Sequence, residues 1–426
     1  MSADLRFQCR RNLANRSEDV NKMTRFRFAG IGSLLVLALA VGAVTVSAQA
    51  TCDDYETYAE LDGKVRENFG NDKTVKVAID AGKELLEKFG TCADYKDFAD
   101  WVKAQMPKWE ARYAEWVEWE WRRPRIEKFD GGIQKKRYDD VYSAGKELVE
   151  RYPDNVHYLL PLGLIGLYET YNNNFKYNDD TIRFAKMAIE KFKAGKGEPK
   201  MHNGKPVVDE DGSNLYGAFQ FERTREEAIS EMTYGLAHIY YYAKKDPQTA
   251  LRYYYEAAQL PGPYSKQPRL YTTVGAYYLE QASPIGRQIA SLIEKQKAKV
   301  AEAQKATEAA DIERFEAELE ALDAEIKGKI ALFNGYTERA LDAFGRAYKV
   351  ADDKVASEKQ LKAEVYKQLQ DLYQRRFPDG AKMGLDSYIS SMVSEPMPNP
   401  TSEVTPVYDT ETTSTATSGS TAVNRP

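Results

Sequence analysis

Cys52 and Cys92 can bind a metal together or bond to each other. Two thiolates alone make a weak metal site, and no histidine stands near either. Each precedes a similar string, Cys52-Asp-Asp-Tyr55 and Cys92-Ala-Asp-Tyr95, so a disulfide is the expected outcome in an oxidising compartment. Asp209-Glu-Asp-Gly-Ser-Asn214 sets carboxylates beside a glycine. It lacks the alternating order and the bidentate Glu at position twelve of a calcium loop, and is expected to be a surface turn. Glu226/Glu227 and Glu110/Glu115 are adjacent acids of the kind general acid–base chemistry uses, but the chain's carboxylates mostly pair with Lys or Arg at helical spacing. There is no glycine-rich phosphate loop, no Gly-x-Ser-x-Gly elbow and no His-Glu-x-x-His, and only three histidines in all. No catalytic residue, metal site or cofactor is expected.

Aromatic residues could instead serve recognition. All five tryptophans lie between Trp101 and Trp121. Trp109, Tyr113 and Trp116 share a helical stripe and are expected to pack between helices. Trp119 and Trp121 fall off that stripe and are expected to be exposed, where they could face a sugar or a peptide.

These residues follow an export signal. Arg25 and Arg27 precede an apolar run, Phe28 to Val46, and Ser47-Ala-Gln-Ala50 supplies small residues for cleavage after Ala50. The run is long enough for a membrane anchor, but the Ala-x-Ala ending favours cleavage. A lipidated Cys52 is disfavoured by Gln49 and Thr51 ahead of it. Residues 1–22 are polar, mixed in charge and include Cys9, so Met23 is the expected start. The reading is an exported protein, periplasmic or extracellular, touching a membrane only through this segment. The full 426-residue chain carries a net charge of −5; from Thr51 onward, 53 basic and 62 acidic residues leave −9. Such a surface repels phosphate backbones, and no nucleic-acid partner is expected.

The elements that position these residues are helices. Ala144-Gly-Lys-Glu-Leu-Val-Glu-Arg-Tyr152 has a near copy at Ala81-Gly-Lys-Glu-Leu-Leu-Glu-Lys-Phe89. Looser echoes stand at Ala185–Phe192, Ala250–Ala258 and Ala340–Tyr348. A recurring apolar helix predicts stacked helical hairpins. Helices are expected over 53–69, with Tyr55, Tyr58, Leu61, Val65 and Phe69 on one face, and over 73–89, with Val77, Ala81, Leu85 and Phe89 spaced by four and Gly90 as the C′ residue. Others are expected over 94–105 capped by Asp94, over 107–121 between Pro107 and Pro124, over 136–152 after a Gly131-Gly132 turn, over 156–171, and over 181–193. Residues 195–221 read as an inserted β-hairpin or ordered loop. From Pro284 an Ala/Glu/Lys-rich stretch carries a seam of Phe315, Leu319, Leu322, Ile326 and Ile330. Ile285, Ile289, Leu292, Val300 and Ala303 form a partner stripe, predicting an antiparallel arm that turns near Thr307–Asp311. Helices over 355–377 and 382–392 close the array, and a Ser/Thr/Pro-rich stretch from Glu395 to Pro426 reads as a disordered tail.

Between Glu226 and Gly262 the spacing becomes specific. Tyr234, Ala237, Tyr241, Ala250, Tyr254 and Ala257 alternate large and small, followed by Pro261 and Pro263. This resembles the tetratricopeptide repeat, loosely over 53–392 and most closely here and at 335–377. The resemblance implies an all-α, TPR-like helical-hairpin solenoid carrying a long antiparallel arm and a small β-hairpin insertion. Its parts are 1–50 signal, 51–130 Trp-rich hairpins, 131–284 repeats with the insertion at 195–221, 285–334 arm, 335–394 closing hairpins and 395–426 tail. It further implies a non-enzymatic scaffold that holds a protein or peptide in a groove lined by Tyr234, His238 and Tyr241. The alternatives are a self-associating structural protein, since a head-to-tail contact that does not close propagates, and an enzyme of unrecognised type.

Overall fold

The computed structural model of the protein describes residues 52–378, 380 and 383–409. The expected signal segment, Met23 and Cys9 lie outside the described residues, as do residues 410–426. The fold is all-α, with twelve α-helices and one two-stranded hairpin among the described residues. No helix there is long and apolar enough to cross a membrane. The described residues divide into two compact units, one holding 52–158 together with 199–207, the other holding 159–198 and the described residues from 208 to 409.

The first unit is built on α1 (Tyr55–Asn68), α2 (Val75–Phe89), α3 (Lys96–Gln134) and α4 (Tyr138–Arg151). The two copies of the nonapeptide lie at α2 and α4 with closely similar burial, differing at Leu86 against Val149 and at Phe89 against the half-buried Tyr152. Ala81, Gly82, Leu85 and Phe89 are inside, as are Ala144, Gly145, Leu148 and Val149, while Lys83, Glu84, Lys146 and Glu147 face water. Gly82 admits a close neighbour, since a Cβ there would stand 2.7 Å from Met106 Cε of α3. The repeat is thus a packing surface.

Several helix limits differ from the sequence reading. Tyr55 and Val77 are exposed, and Val75, Ala78 and Ile79 supply the buried face of α2 instead. Gly90 ends α2 in the right-handed helical region, without the left-handed turn expected of it. Asp94 is not a cap; it sits in a 3₁₀ turn, Ala93–Tyr95, that leads into α3. The largest difference is that α3 is one helix of 39 residues running through Pro107, Pro124 and Gly131-Gly132. An interior proline costs about 3 kcal/mol without support. Here Val102, Met106 and Trp109 are buried around Pro107, and Phe129, Gly132 and Ile133 are buried between Pro124 and the helix end, so tertiary burial outweighs local preference.

The hairpin pairs β1 (Met201–His202) with β2 (Lys205–Pro206) around Asn203-Gly204, both with positive φ, as a tight turn requires. The hairpin expected within 195–221 is therefore present, with strands of only two residues each.

The second unit contains α5 (Val156–Tyr171), α6 (Asn178–Lys193), α7 (Arg225–His238), α8 (Pro247–Gln259), α9 (Pro268–Ala303), α10 (Ala309–Val350), α11 (Ala356–Arg376) and α12 (Leu385–Ser394). The boundary between units falls in the first turn of α5. Buried Tyr254, Leu270, Val274, Leu341, Phe344, Val365, Leu369 and Ile389 belong to one core in this unit. The arm is not a separate element. It is the far ends of α9 and α10, which pass unbroken from core to tip. Gly275 lies against Phe344 and Gly286 against Phe333, while Lys299 pairs with Glu318 at 3.0 Å. One number rises as the other falls, so the helices run antiparallel. Ile330 and Val300 are exposed and lie off the seam.

The stretch after α12 is ordered as far as Asp409, contrary to the expected tail. It lies against α10 and α11 as an extended strap, with Met397, Pro400 and Val404 buried. Val407 N donates to Ala331 O at 2.8 Å, and Arg376 reaches Asp409 Oδ1 at 2.6 Å. Composition predicted disorder because the strap has no apolar periodicity; its attachments are largely main-chain and charged.

Candidate partner-binding face

α7 begins with a capping box. Thr224 Oγ1 accepts from Glu227 N and the Glu227 carboxylate accepts from Thr224 N, so this acid of the Glu226/Glu227 pair serves the helix end. At His238 the helix loosens into a single π turn, Ile239–Ala243, where Lys244 N donates to Ile239 O. Pro247 and the Asp246 cap then start α8. Such a turn shifts the phase of the side chains that follow, and π turns are frequent at functional sites. Here it carries Tyr240, Tyr241 and Tyr242.

The three residues expected to line a groove separate. Tyr234 is buried, its ring 5.9 Å from Tyr254 and 5.5 Å from Tyr264, because its position turns toward α8. It is core and lines no groove. Tyr241 is half-buried against Tyr242 and Tyr254. His238 alone takes a place on a face. Its ring lies 4.6 Å from Tyr171 and 4.5 Å from Tyr242, and those two tyrosines are 45% and 42% exposed. Tyr242 Oη lies 3.3 Å from Thr273 Oγ1. The face is therefore Tyr171, His238 and Tyr242, drawn from the end of α5, the end of α7 and the π turn. Tyr171 and Tyr242 carry no repeat signature, and the sequence reading missed both.

Beneath this face lies a polar network that the sequence reading also missed. Glu231 is 1% exposed. Its carboxylate accepts from Tyr168 Oη at 2.5 Å and from Arg223 Nε at 2.7 Å. Arg223 Nη2 donates to Tyr168 Oη at 2.9 Å, and its Nη1 to the carbonyls of Gln220 and Glu222. A buried charge persists only when paired and fully hydrogen-bonded, and Glu231 meets both conditions. A glutamate among apolar helix neighbours was the one available clue, since such a residue must find a cation in the fold.

Burial fixes the charge state of the face. It pushes the Tyr168, Tyr171 and Tyr264 phenols well up, and Tyr234 up to about 12. Burial, with Arg269 adding to it, lowers His238 to about 4. At neutral pH the face presents a neutral imidazole beside the Tyr171 phenol.

The other expected sites resolve as follows. Cys52 and Cys92 form a disulfide, Cα–Cα 5.7 Å, tying the approach to α1 to the turn after α2. Trp119 and Trp121 are half-buried, not exposed. Arg125 and Arg151 lie 4.2 and 4.6 Å from the Trp121 ring centre and Arg122 5.6 Å from that of Trp119, so guanidinium groups cover them. Glu118 holds the cover in place by pairing with Arg151 and Tyr152. Trp101, at 37%, is the more exposed tryptophan, beside a shallow recess of about 360 Å³ lined with Arg66, Asp97 and Phe98. Asp209 Oδ1 accepts from the backbone of Asp211 and Ser213, which makes the acidic string an Asx-type turn. No cluster of three or more His, Cys, Asp or Glu placed to hold a metal occurs among the described residues.

The chain matches no protein-family model, no curated protein and no solved structure.

Proposed function

We propose that this protein is an exported, TPR-like scaffold of the cell envelope that binds a protein or peptide partner and catalyses no reaction. The observation that carries this reading is the Tyr171–His238–Tyr242 face, with two half-exposed phenols on either side of an imidazole. Rings of this kind bury large area on binding at small entropic cost, which suits an interface anchor. An imidazole held near 4 is a weak base at neutral pH, and the Tyr171 phenol, pushed upward by burial, is a weak acid, so this pair is poorly suited to proton transfer. The repeat resemblance is supported by α7 and α8, where Ala237, Ala250 and Ala257 are fully buried at the positions that let two helices nest. The long α3, α9 and α10 depart from a uniform repeat. Export is supported by the disulfide.

The test places a photo-crosslinking amino acid at Tyr242 in the cellular protein. The reading expects a covalent adduct with another polypeptide that disappears when Tyr171→Ala is added, while the circular dichroism spectrum is unchanged. An adduct indifferent to Tyr171→Ala, or none, overturns it.

A further inference from the structure

The strap formed by residues 395–409 is held by contacts that a separate peptide would make. Val407 is read on both main-chain groups: its N–H donates to Ala331 O at 2.8 Å, and its carbonyl accepts from Asn334 Nδ2 at 3.3 Å. Gly335 lets the two backbones touch, for a Cβ there would stand 2.3 Å from Thr405 O and 3.0 Å from Val404 Cγ1. A glycine inside a long helix costs about 1 kcal/mol against alanine, and the close approach supplies its reason. Met397, Pro400 and Val404 fill apolar positions. At the far end Arg376, 7% exposed, shares its guanidinium between Glu338 at 2.9 Å and Asp409 at 2.6 Å. Arg339 reaches Asn399 O and Ser402 Oγ, and Arg346 reaches Glu395 O.

An empty groove would expose those apolar positions, take from Asn334 the bonds it makes to Val407 and Asp409, and leave Arg376 with Glu338 alone. The groove is therefore built to be filled, and the matching sequence is this chain's own. Pro396, Pro398 and Pro400 favour an extended chain before binding, which lowers the ordering cost. The covalent link from Ser394 at the end of α12 to the first buried residue, Met397, is only Glu395-Pro396. A strap from another copy could make the same contacts, so an exchange sacrifices none of them.

We propose that the groove over Ala331–Gly335 is an acceptor site for the 395–409 segment of a second copy of this chain, filled in cis while copies are apart. The exchange is head-to-tail, and an unclosed series of such contacts propagates. This site is independent of the tyrosine–histidine face and of the function proposed for it.

The test uses two full-length variants, each unable to complete the contact alone. Gly335→Val blocks the groove and leaves the strap intact. Val407→Pro with Asp409→Asn disables the strap, removing the N–H that bonds Ala331 and the charge that meets Arg376, and leaves the groove intact. Each variant by itself is expected to be monomeric by light scattering. An equimolar mixture at about 20 µM is expected to give a heterodimer with Kd below about 10 µM, dispersed by excess free 395–409 peptide. If Gly335→Val loses helicity, Gly335→Ala takes its place as the blocked acceptor, since a Cβ alone would stand 2.3 Å from Thr405 O. No heterodimer between two folded variants overturns the proposal, and so does a heterodimer that survives the peptide.

Discussion

Glu231→Ala is the most informative single substitution. It removes the one carboxylate that Arg223 and Tyr168 share, at a position 1% exposed. Breaking a buried ion pair by deleting one partner costs about 3–5 kcal/mol. The Arg223 side chain is 24% exposed and keeps the carbonyls of Gln220 and Glu222, which places its share at the low end. The Tyr168 phenol losing its acceptor adds about 1 kcal/mol, less than additively because both groups share one site. The expected loss is about 3–4 kcal/mol. Glu231→Gln keeps the shape and one acceptor and is expected to cost about 1–2 kcal/mol. Urea unfolding at pH 7 measures both, followed by tyrosine near-ultraviolet dichroism. The five tryptophans lie in the other unit, so their fluorescence serves as an internal control that Glu231→Ala should leave nearly unchanged. An alanine variant within about 1 kcal/mol of the parent would refute the account of the network. Equal costs for Ala and Gln would show that the carboxylate's charge and geometry are not what hold it.

His238 sits near 4 in the folded chain against 6.5 unperturbed, so the unfolded state takes up more protons between those values. Stability is therefore complete above about pH 6.5 and falls as pH drops toward 4, by about 2 kcal/mol once partial exposure is allowed for, and His238→Gln should flatten the profile measured by urea titrations. Cys92→Ser, or reduction, opens a loop with a separation of 40 residues and should cost about 3–4 kcal/mol in the first unit, read by tryptophan fluorescence with and without reductant. Gly82→Leu drives a side chain into Met106 and Val102 and should lower stability by about 1–3 kcal/mol, whereas a change in binding alone would make the nonapeptide a recognition site.

The helices were legible because each carries an apolar stripe wide enough to read locally, and the closely similar burial of Ala81–Phe89 and Ala144–Tyr152 follows from their shared letters. Their limits were less legible where tertiary packing outweighs a local stop signal, as at Pro107, Pro124 and Gly131 in α3. The site was legible only in part. His238 was named, but Tyr171 and Tyr242 reach it from α5 and the π turn, and neither a fixed spacing nor a repeat pattern encodes that meeting. Tyr234 shows the converse, since a repeat position taken as groove-facing was already used by the core. The strap escaped because proline-rich composition predicts extension but not where the extended chain is held. Asn334 and Gly335 in mid-helix were the available clue.

The pairing of α9 with α10 has one further consequence. Beyond Ala282 on one helix and before Leu322 on the other no side chain is fully buried, so the outer hairpin rests on its own seam. Removing one heptad from each helix at matched positions would preserve that seam and leave the contact of Gly275 with Phe344 at the base untouched. The hairpin would shorten by about 10 Å, seven residues at 1.5 Å each. The arm is thus a ruler graduated in heptads, able to carry whatever sits at its Gln304–Glu308 tip to a series of discrete reaches without a change in the body that anchors it.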